Sequence, residues 1–215
     1  NAFPPTHSPF ALASIHTMRL LKALASAILS ALLLYLLIWY LVPQFFTLPA
    51  GLSTAPVTSS SLPARDGTPI ANFPRPDLYR HQAVSLEEIP EDLVLATLAA
   101  EDKRFHHHGG IDFVAATRAL RDNLSEGEVV SGASTLTQQL IKLGSGMPPR
   151  TWKNKIIEAF QARHLELSWS KREILEAYFN RLDYGSLRQG PDAAARYYFQ
   201  KPLNQLSLAQ CALLA

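Results

Sequence analysis

One segment constrains this chain more than any other: residues Leu20 to Val42 read LLKALASAILSALLLYLLIWYLV, with Lys22 as the sole charge. At ~1.5 Å per residue a helix of that length crosses a hydrocarbon core of ~30 Å, so residues 19–42 read as a transmembrane helix. A cleaved signal peptide is the rival, but its apolar part runs only ~7 to 15 residues before a small-residue cleavage site. Here the run is longer, and Trp39 and Tyr40 close it as aromatics do at a bilayer interface. Arg19 and Lys22 stand on its near side, and no Lys or Arg follows Val42 until Arg65. That asymmetry predicts a cytoplasmic tail over residues 1–18 and places the rest of the chain outside.

The 215 residues suit one globular domain besides this anchor. Cys211 is the single cysteine, so no internal disulfide can form in the oxidising space outside the membrane; its neighbours Leu208, Ala209, Ala212 and Leu213 read it as a small buried residue. A formal charge of +2 gives no argument for nucleic acid as a partner. From Pro43 to about Pro76 the composition turns to Pro, Ser, Thr and Gly, which predicts an extracytoplasmic linker over residues 43–80. Asp66 and Gly67 inside it form a turn pair suited to a β-hairpin.

Residues 81–215 read as mainly α-helical. Pro90, Glu91 and Asp92 open one helix, since proline lacks an N–H that the first turn does not use. Thr135 with Gln138, Ser170 with Glu173, and Ser207 with Gln210 match capping boxes, in which each side chain satisfies a free amide of the other residue. Ile174, Leu175, Tyr178, Phe179 and Leu182 fall on one helical face. Phe113 and Val114 fit either a membrane-facing lobe or an ordinary core.

Three polar clusters exceed what helix packing requires. In AAEDKRFHHHGG an apolar helix ends in Glu101 and Asp102, where desolvation can raise a carboxyl pKa and suit it to accept a proton. Surface ion pairs with Lys103 and Arg104 are the plain alternative. His106, His107 and His108 are consecutive and point in different directions, so they predict a hydrogen-bonding role for one histidine rather than a zinc site. In SGASTLTQQLIKL a small-residue turn, Ser131-Gly132-Ala133, leads into a capped helix carrying Gln138, Gln139 and Lys142, whose amide-rich start could hold an anion. A solvent-facing capped helix is the alternative. In RTWKNKIIEAF, Lys155 and Glu158 share a helical face near Arg150 and Lys153; they could bind a phosphate beside a sugar hydroxyl, or form an exposed ion pair.

The order and identity of these clusters resemble glycosyltransferase family 51, the transglycosylase domain of class A penicillin-binding proteins and of monofunctional peptidoglycan glycosyltransferases. Its motif Glu-Asp-x-x-Phe-x-x-His-x-Gly is matched by Glu101, Asp102, Phe105, His108 and Gly110. Its motif Gly-x-Ser-Thr-x-Thr-Gln-Gln-x-x-Lys is matched by Gly132, Ser134, Thr135, Thr137, Gln138, Gln139 and Lys142. The third, Arg-Lys-x-x-Glu, is matched at Lys155 and Glu158, with Asn154 in place of its arginine. The fourth is matched by Lys171, Glu173, Ile174, Leu175, Glu176, Tyr178, Asn180 and Gly185. The likeness runs from about Ile89 to the C-terminus; the insert GSGMPP and the spacing around Ser131 are loosely similar to the 1C type of penicillin-binding protein.

The resemblance implies a lysozyme-like glycosyltransferase domain preceded by a single transmembrane helix and a short hairpin-containing linker. It implies polymerisation of lipid II into β-1,4 glycan by inverting transfer, with Glu101 as general base and Glu158 as second carboxylate. It implies substrate contacts from Asp102, Phe105, His108, Ser134, Thr135, Thr137, Gln138, Gln139, Lys142, Lys155 and Asn180. No cofactor is required, although a divalent cation, Mg or Mn, would suit the donor pyrophosphate. Expected partners are lipid II, the growing glycan, the membrane and other cell-wall synthesis proteins, on the periplasmic face of the bacterial inner membrane. Asn154 opens a second reading, a catalytically impaired scaffold of the same family, and a lysozyme-like glycan-cleaving enzyme is a third. The chain begins at Asn1 and stops inside an apolar helix at Ala215, which points to a longer parent; a transpeptidase domain would lie beyond that end.

Overall fold

The computed structural model describes residues 9–66, 69–126 and 132–215, which divide into two compact units at Phe45 and Phe46. In the first, helix α1 (Pro9–Leu36) continues through one π-helical turn, Leu37–Leu41, and a 3-10 turn, Val42–Phe45. Residues Met18–Phe45 are long and apolar enough to cross a membrane. Their leucines and isoleucines lie largely exposed, a surface that water would disfavour and lipid would not.

The second unit holds α2 (Ala50–Ser53), the hairpin β1 (Ser60–Pro63) and β2 (Pro69–Phe73), β3 (Arg80–His81), and then the helices. The hairpin anticipated around Asp66 is present, pairing Ser60 with Phe73 and Leu62 with Ala71, while Gly67 of its turn pair lies outside the described residues. The main helices are α3 (Glu91–Glu101), α4 (Phe113–Glu126), α5 (Leu136–Gly144), α6 (Trp152–Ser168) and α7 (Lys171–Arg181). The two-residue strand β4 (Arg188–Gln189), paired in parallel with β3, leads to α8 (Pro191–Phe199) and α9 (Leu208–Leu214).

Local chemistry starts these helices where the sequence places the caps. All three anticipated capping boxes are formed, at Thr135, Ser170 and Ser207. A fourth, Ser85 with Glu88, caps a single 3-10 turn. Pro90 sits just outside α3 as its N-cap, one position earlier than a first-turn proline. Pro191 does occupy the first turn of α8, behind Gly190 at φ 83°.

The core gathers around α5, which packs against α6 and α7, while α3 packs on α9. Leu136, Leu140 and Ile141 of α5 are buried with Leu93, Phe105, Leu165, Ile174 and Phe179. Each such side chain contributes roughly 1.5–3 kcal/mol when fully buried. Cys211 is buried, in line with its apolar neighbours, and burial raises its thiol pKa. Phe113 and Val114 are 60% and 56% exposed, so neither belongs to the core.

Candidate active site

Asp102 and Glu101 end α3 side by side and have opposite surroundings. Asp102 is buried, and its carboxylate lies 3.0 Å and 3.1 Å from Nε2 of His108. Its Oδ2 also accepts the backbone N–H of Leu136, the first residue of α5, at 3.0 Å. The start of α5, for which the sequence left open an anion site or a solvent-facing cap, is met by a carboxylate of the chain itself. Thr135 completes the seal: its hydroxyl accepts from the Gln138 amide and donates to the Gly110 carbonyl at 2.7 Å. Ser131 of the preceding turn lies outside the described residues.

Gly110 is required by this junction. It adopts φ 96°, and a Cβ there would sit 2.7 Å from the carbonyl oxygen of Ala162 in α6. The loop and α6 touch backbone to backbone.

Around this knot lie several more of the residues that the sequence puts forward. Phe105 is 1% exposed, and the Lys171 ammonium stands 4.1 Å from its ring centroid. Lys171 donates to Glu166 Oε1 at 2.7 Å and to the His108 carbonyl at 2.9 Å, while the Thr137 hydroxyl donates to the same Glu166 oxygen at 2.6 Å. Gln138 turns back to accept the Thr135 amide. Asn180 accepts from the Val84 amide and donates to the carbonyls of Val84 and Glu176, tying the segment before α3 to α7. Asp102, Phe105, His108, Thr135, Thr137, Gln138 and Asn180 thus have their polar groups or rings engaged within the scaffold.

Glu101 stands exposed, so the apolar helix does not remove water from it. Its Oε2 accepts one hydrogen bond, from Gln139 Nε2 at 2.8 Å, and Gln139 Oε1 in turn accepts from the Tyr178 hydroxyl at 3.2 Å. Burial, and then the charge of Glu101, push the Tyr178 phenol above its ordinary pKa and keep it a donor. These three residues line a cleft of about 610 Å³ together with Asp183, Tyr184 and Tyr198. The Tyr184 hydroxyl is buried with no partner among the described residues.

Just before the start of α5, Lys155 donates to the Ser134 hydroxyl at 2.6 Å and lies 3.5 Å from Glu158 Oε2. Glu158 is only 9% exposed, so this cation and carboxylate form more than a surface pair. Ser134 lies just before the Thr135 N-cap of α5, and Gln139 lies within the helix. That helix therefore carries a contact to Lys155 at its mouth and a contact to Glu101 near its middle. Lys142 follows on α5, half-buried, and among the described residues none accepts from its ammonium. Thr151 caps α6 by accepting the Asn154 amide N–H at its Oγ1, and the Asn154 side chain donates to the Pro149 carbonyl.

Sequence reasoning missed two carboxylates of the scaffold. Asp112 accepts the amides of Val114 and Ala115 at the start of α4 and pairs with Arg104, and its signal was an Asp just before a helix. Glu166 had no local signal, because its partners Thr137 and Lys171 come from other helices. Asp102, His108 and Asp112 offer ligand atoms within 4.8 Å of one another. Their oxygens already accept from His108, Leu136, Val114, Ala115 and Arg104, so this group does not fit a metal site.

The transglycosylase family model matches residues 66–215. The chain is 42% identical over 132 residues to the biosynthetic peptidoglycan transglycosylase of Pectobacterium carotovorum subsp. carotovorum, covering 61% of this chain and 54% of that protein. Its match to the Haemophilus influenzae protein of the same name is 41% over 150 residues, covering 68% and 61% respectively. Against penicillin-binding protein 1A of Escherichia coli it is 36% over 196 residues, 91% of this chain and 23% of that one. The chain therefore spans between about a quarter and three fifths of these relatives. With the family matched over most of its length and all four motifs folded into one unit, this chain belongs to the transglycosylase family, glycosyltransferase family 51.

Proposed function

We propose that this domain polymerises lipid II into β-1,4 glycan chains, releasing lipid pyrophosphate. The observation that carries the reading is Glu101: an exposed carboxylate in a cleft, oriented by Gln139 and otherwise free, while its neighbours in the same motif are locked in the scaffold.

In this reading Glu101 accepts the proton of the acceptor 4-hydroxyl as that oxygen attacks the anomeric carbon of the donor. The bond from that carbon to the pyrophosphate breaks, and attack from the opposite face turns an α-linked donor into a β-linked product. Lys155 and Lys142 face the charge that develops on the departing pyrophosphate, the kind of electrostatic contact that is worth several kcal/mol in a dry site. Glu158 holds Lys155 in place through an ion pair and orients the donor side, and the Ser134 hydroxyl accepts a hydrogen bond from the same ammonium. A divalent cation would bring charge neutralisation to the pyrophosphate, but the carboxylates of Asp102 and Asp112 in the buried cluster are already engaged within the chain.

The helix over Met18–Phe45 serves as a single-pass anchor with a cytoplasmic N-terminus and a periplasmic catalytic domain, so that enzyme and lipid-linked substrates share one surface. Exposed Phe113 and Val114 on α4, and Trp152 at 86% exposure, support a domain that works against lipid. The test is direct: incubate the purified chain in detergent with labelled lipid-linked disaccharide. Polymer that vanishes in Glu101→Gln supports the reading. Bound precursor without turnover favours the scaffold that Asn154 raises, and shortening of added glycan favours a hydrolase.

A further inference from the structure

A second cavity, of about 450 Å³, lies among β1, β3 and α8 and shares no lining residue with the Glu101 cleft. Three guanidinium groups line it, those of Arg80, Arg188 and Arg196. Asp192 is its one carboxylate, and Arg196 Nε already donates to it at 2.8 Å. The balance is positive.

These cations are arranged rather than scattered. Arg188 stands 4.2 Å from the Tyr197 ring centroid and donates through Nη1 to the carbonyls of Ser186 and Leu187, which fixes its plane and leaves its remaining donors available. Arg80 is exposed, and no described residue accepts from its guanidinium.

His81 supplies the independent observation. It is 1% exposed and lines the same cavity. Its Nδ1 lies 3.0 Å from the Gln189 carbonyl oxygen, which can only accept, so Nδ1 carries the proton and Nε2 presents a lone pair. Burial holds the ring below its ordinary pKa, which keeps it neutral. Nε2 is buried with no partner among the described residues. A buried acceptor of this kind calls for an O–H or N–H, while the guanidinium groups call for an oxyanion.

We propose that this cavity binds a small hydroxylated oxyanion of the sugar-acid or sugar-phosphate class, its carboxylate or phosphate held by Arg80 and Arg188 and a hydroxyl donating to His81 Nε2. The volume suits a ligand of one or two sugar rings. The site stands apart from the Glu101 chemistry and does not rest on it.

The full chain in detergent micelles is titrated with glucuronate, glucose 6-phosphate and glucose, following heat of binding and the ring signals of His81. At least one charged sugar saturates and shifts the His81 signals, and glucose binds about tenfold more weakly or worse. Whichever charged sugar binds tighter identifies carboxylate or phosphate as the anion. Arg80→Gln weakens binding about tenfold without lowering the melting temperature, and Arg196→Gln weakens it as well. Lys155→Gln leaves it unchanged, which separates this cavity from the cations beside Glu158. The proposal is overturned if neither charged sugar saturates, if glucose binds as tightly, if the His81 signals stay still, or if Lys155→Gln rather than Arg80→Gln removes the binding.

Discussion

Glu101 and Asp102 are consecutive carboxylates at the end of one helix, and the fold treats them as opposites. Glu101 is exposed and accepts from one amide; Asp102 is buried and accepts from a histidine and a helix start. The pair shows that a family motif is a mixture of parts. One residue is presented to the cleft, and the other builds the surface on which it is presented. The same division runs through α5, where Gln138 closes the cap and Gln139 reaches into the cleft.

This contrast can be broken in order of expected effect. Glu101→Gln should lower polymerisation by about 10²- to 10⁴-fold, the usual worth of a general base, with no change in the unfolding midpoint. A drop in stability would mean that Glu101 belongs to the scaffold after all. Asp102→Ala leaves His108 and the Leu136 amide facing each other without an acceptor, and chemical denaturation should show a loss of about 3–5 kcal/mol. Thr135→Ala removes a cap from the same knot and should cost about 1–2 kcal/mol. Tyr178→Phe sharpens the other side: losing one hydrogen bond to Gln139 should slow turnover about fivefold while stability changes little.

The smallest effect is in pH. Burial works against the charge on Asp112, yet the amides of Ala115 and Val114 and the Arg104 guanidinium outweigh it, and the folded carboxyl lies below its ordinary pKa. The unfolded chain therefore binds its proton first as pH falls. The stabilisation is whole above about pH 4 and is lost as pH drops through the lowered folded value. Asp112→Asn should flatten that acid limb in a series of denaturation curves, at some cost to stability near neutrality.

Much of the local structure was legible in the sequence, because a capping box needs only residues three apart. Thr135, Ser170 and Ser207 each start a helix where the pattern places them. The division of labour between Glu101 and Asp102 was not legible, since burial is decided by α5 and the loop at Gly110, which come later in the chain. Glu166 was invisible for the same reason. The arginine-lined cavity draws on β1, β3 and α8, and no single window of sequence holds it.

The hydrogen bond from Gln139 to Glu101 has one more effect. Tyr178 donates to the amide oxygen, so the amide must turn its nitrogen toward Glu101, and that nitrogen can only give. The two carboxylate oxygens are thereby made unequal. Oε2 already accepts from the amide, while no described residue donates to Oε1. In the proposed reaction a symmetric side chain thus becomes a base with one less encumbered oxygen, and an acceptor hydroxyl that approaches from the Oε1 side meets no competing donor.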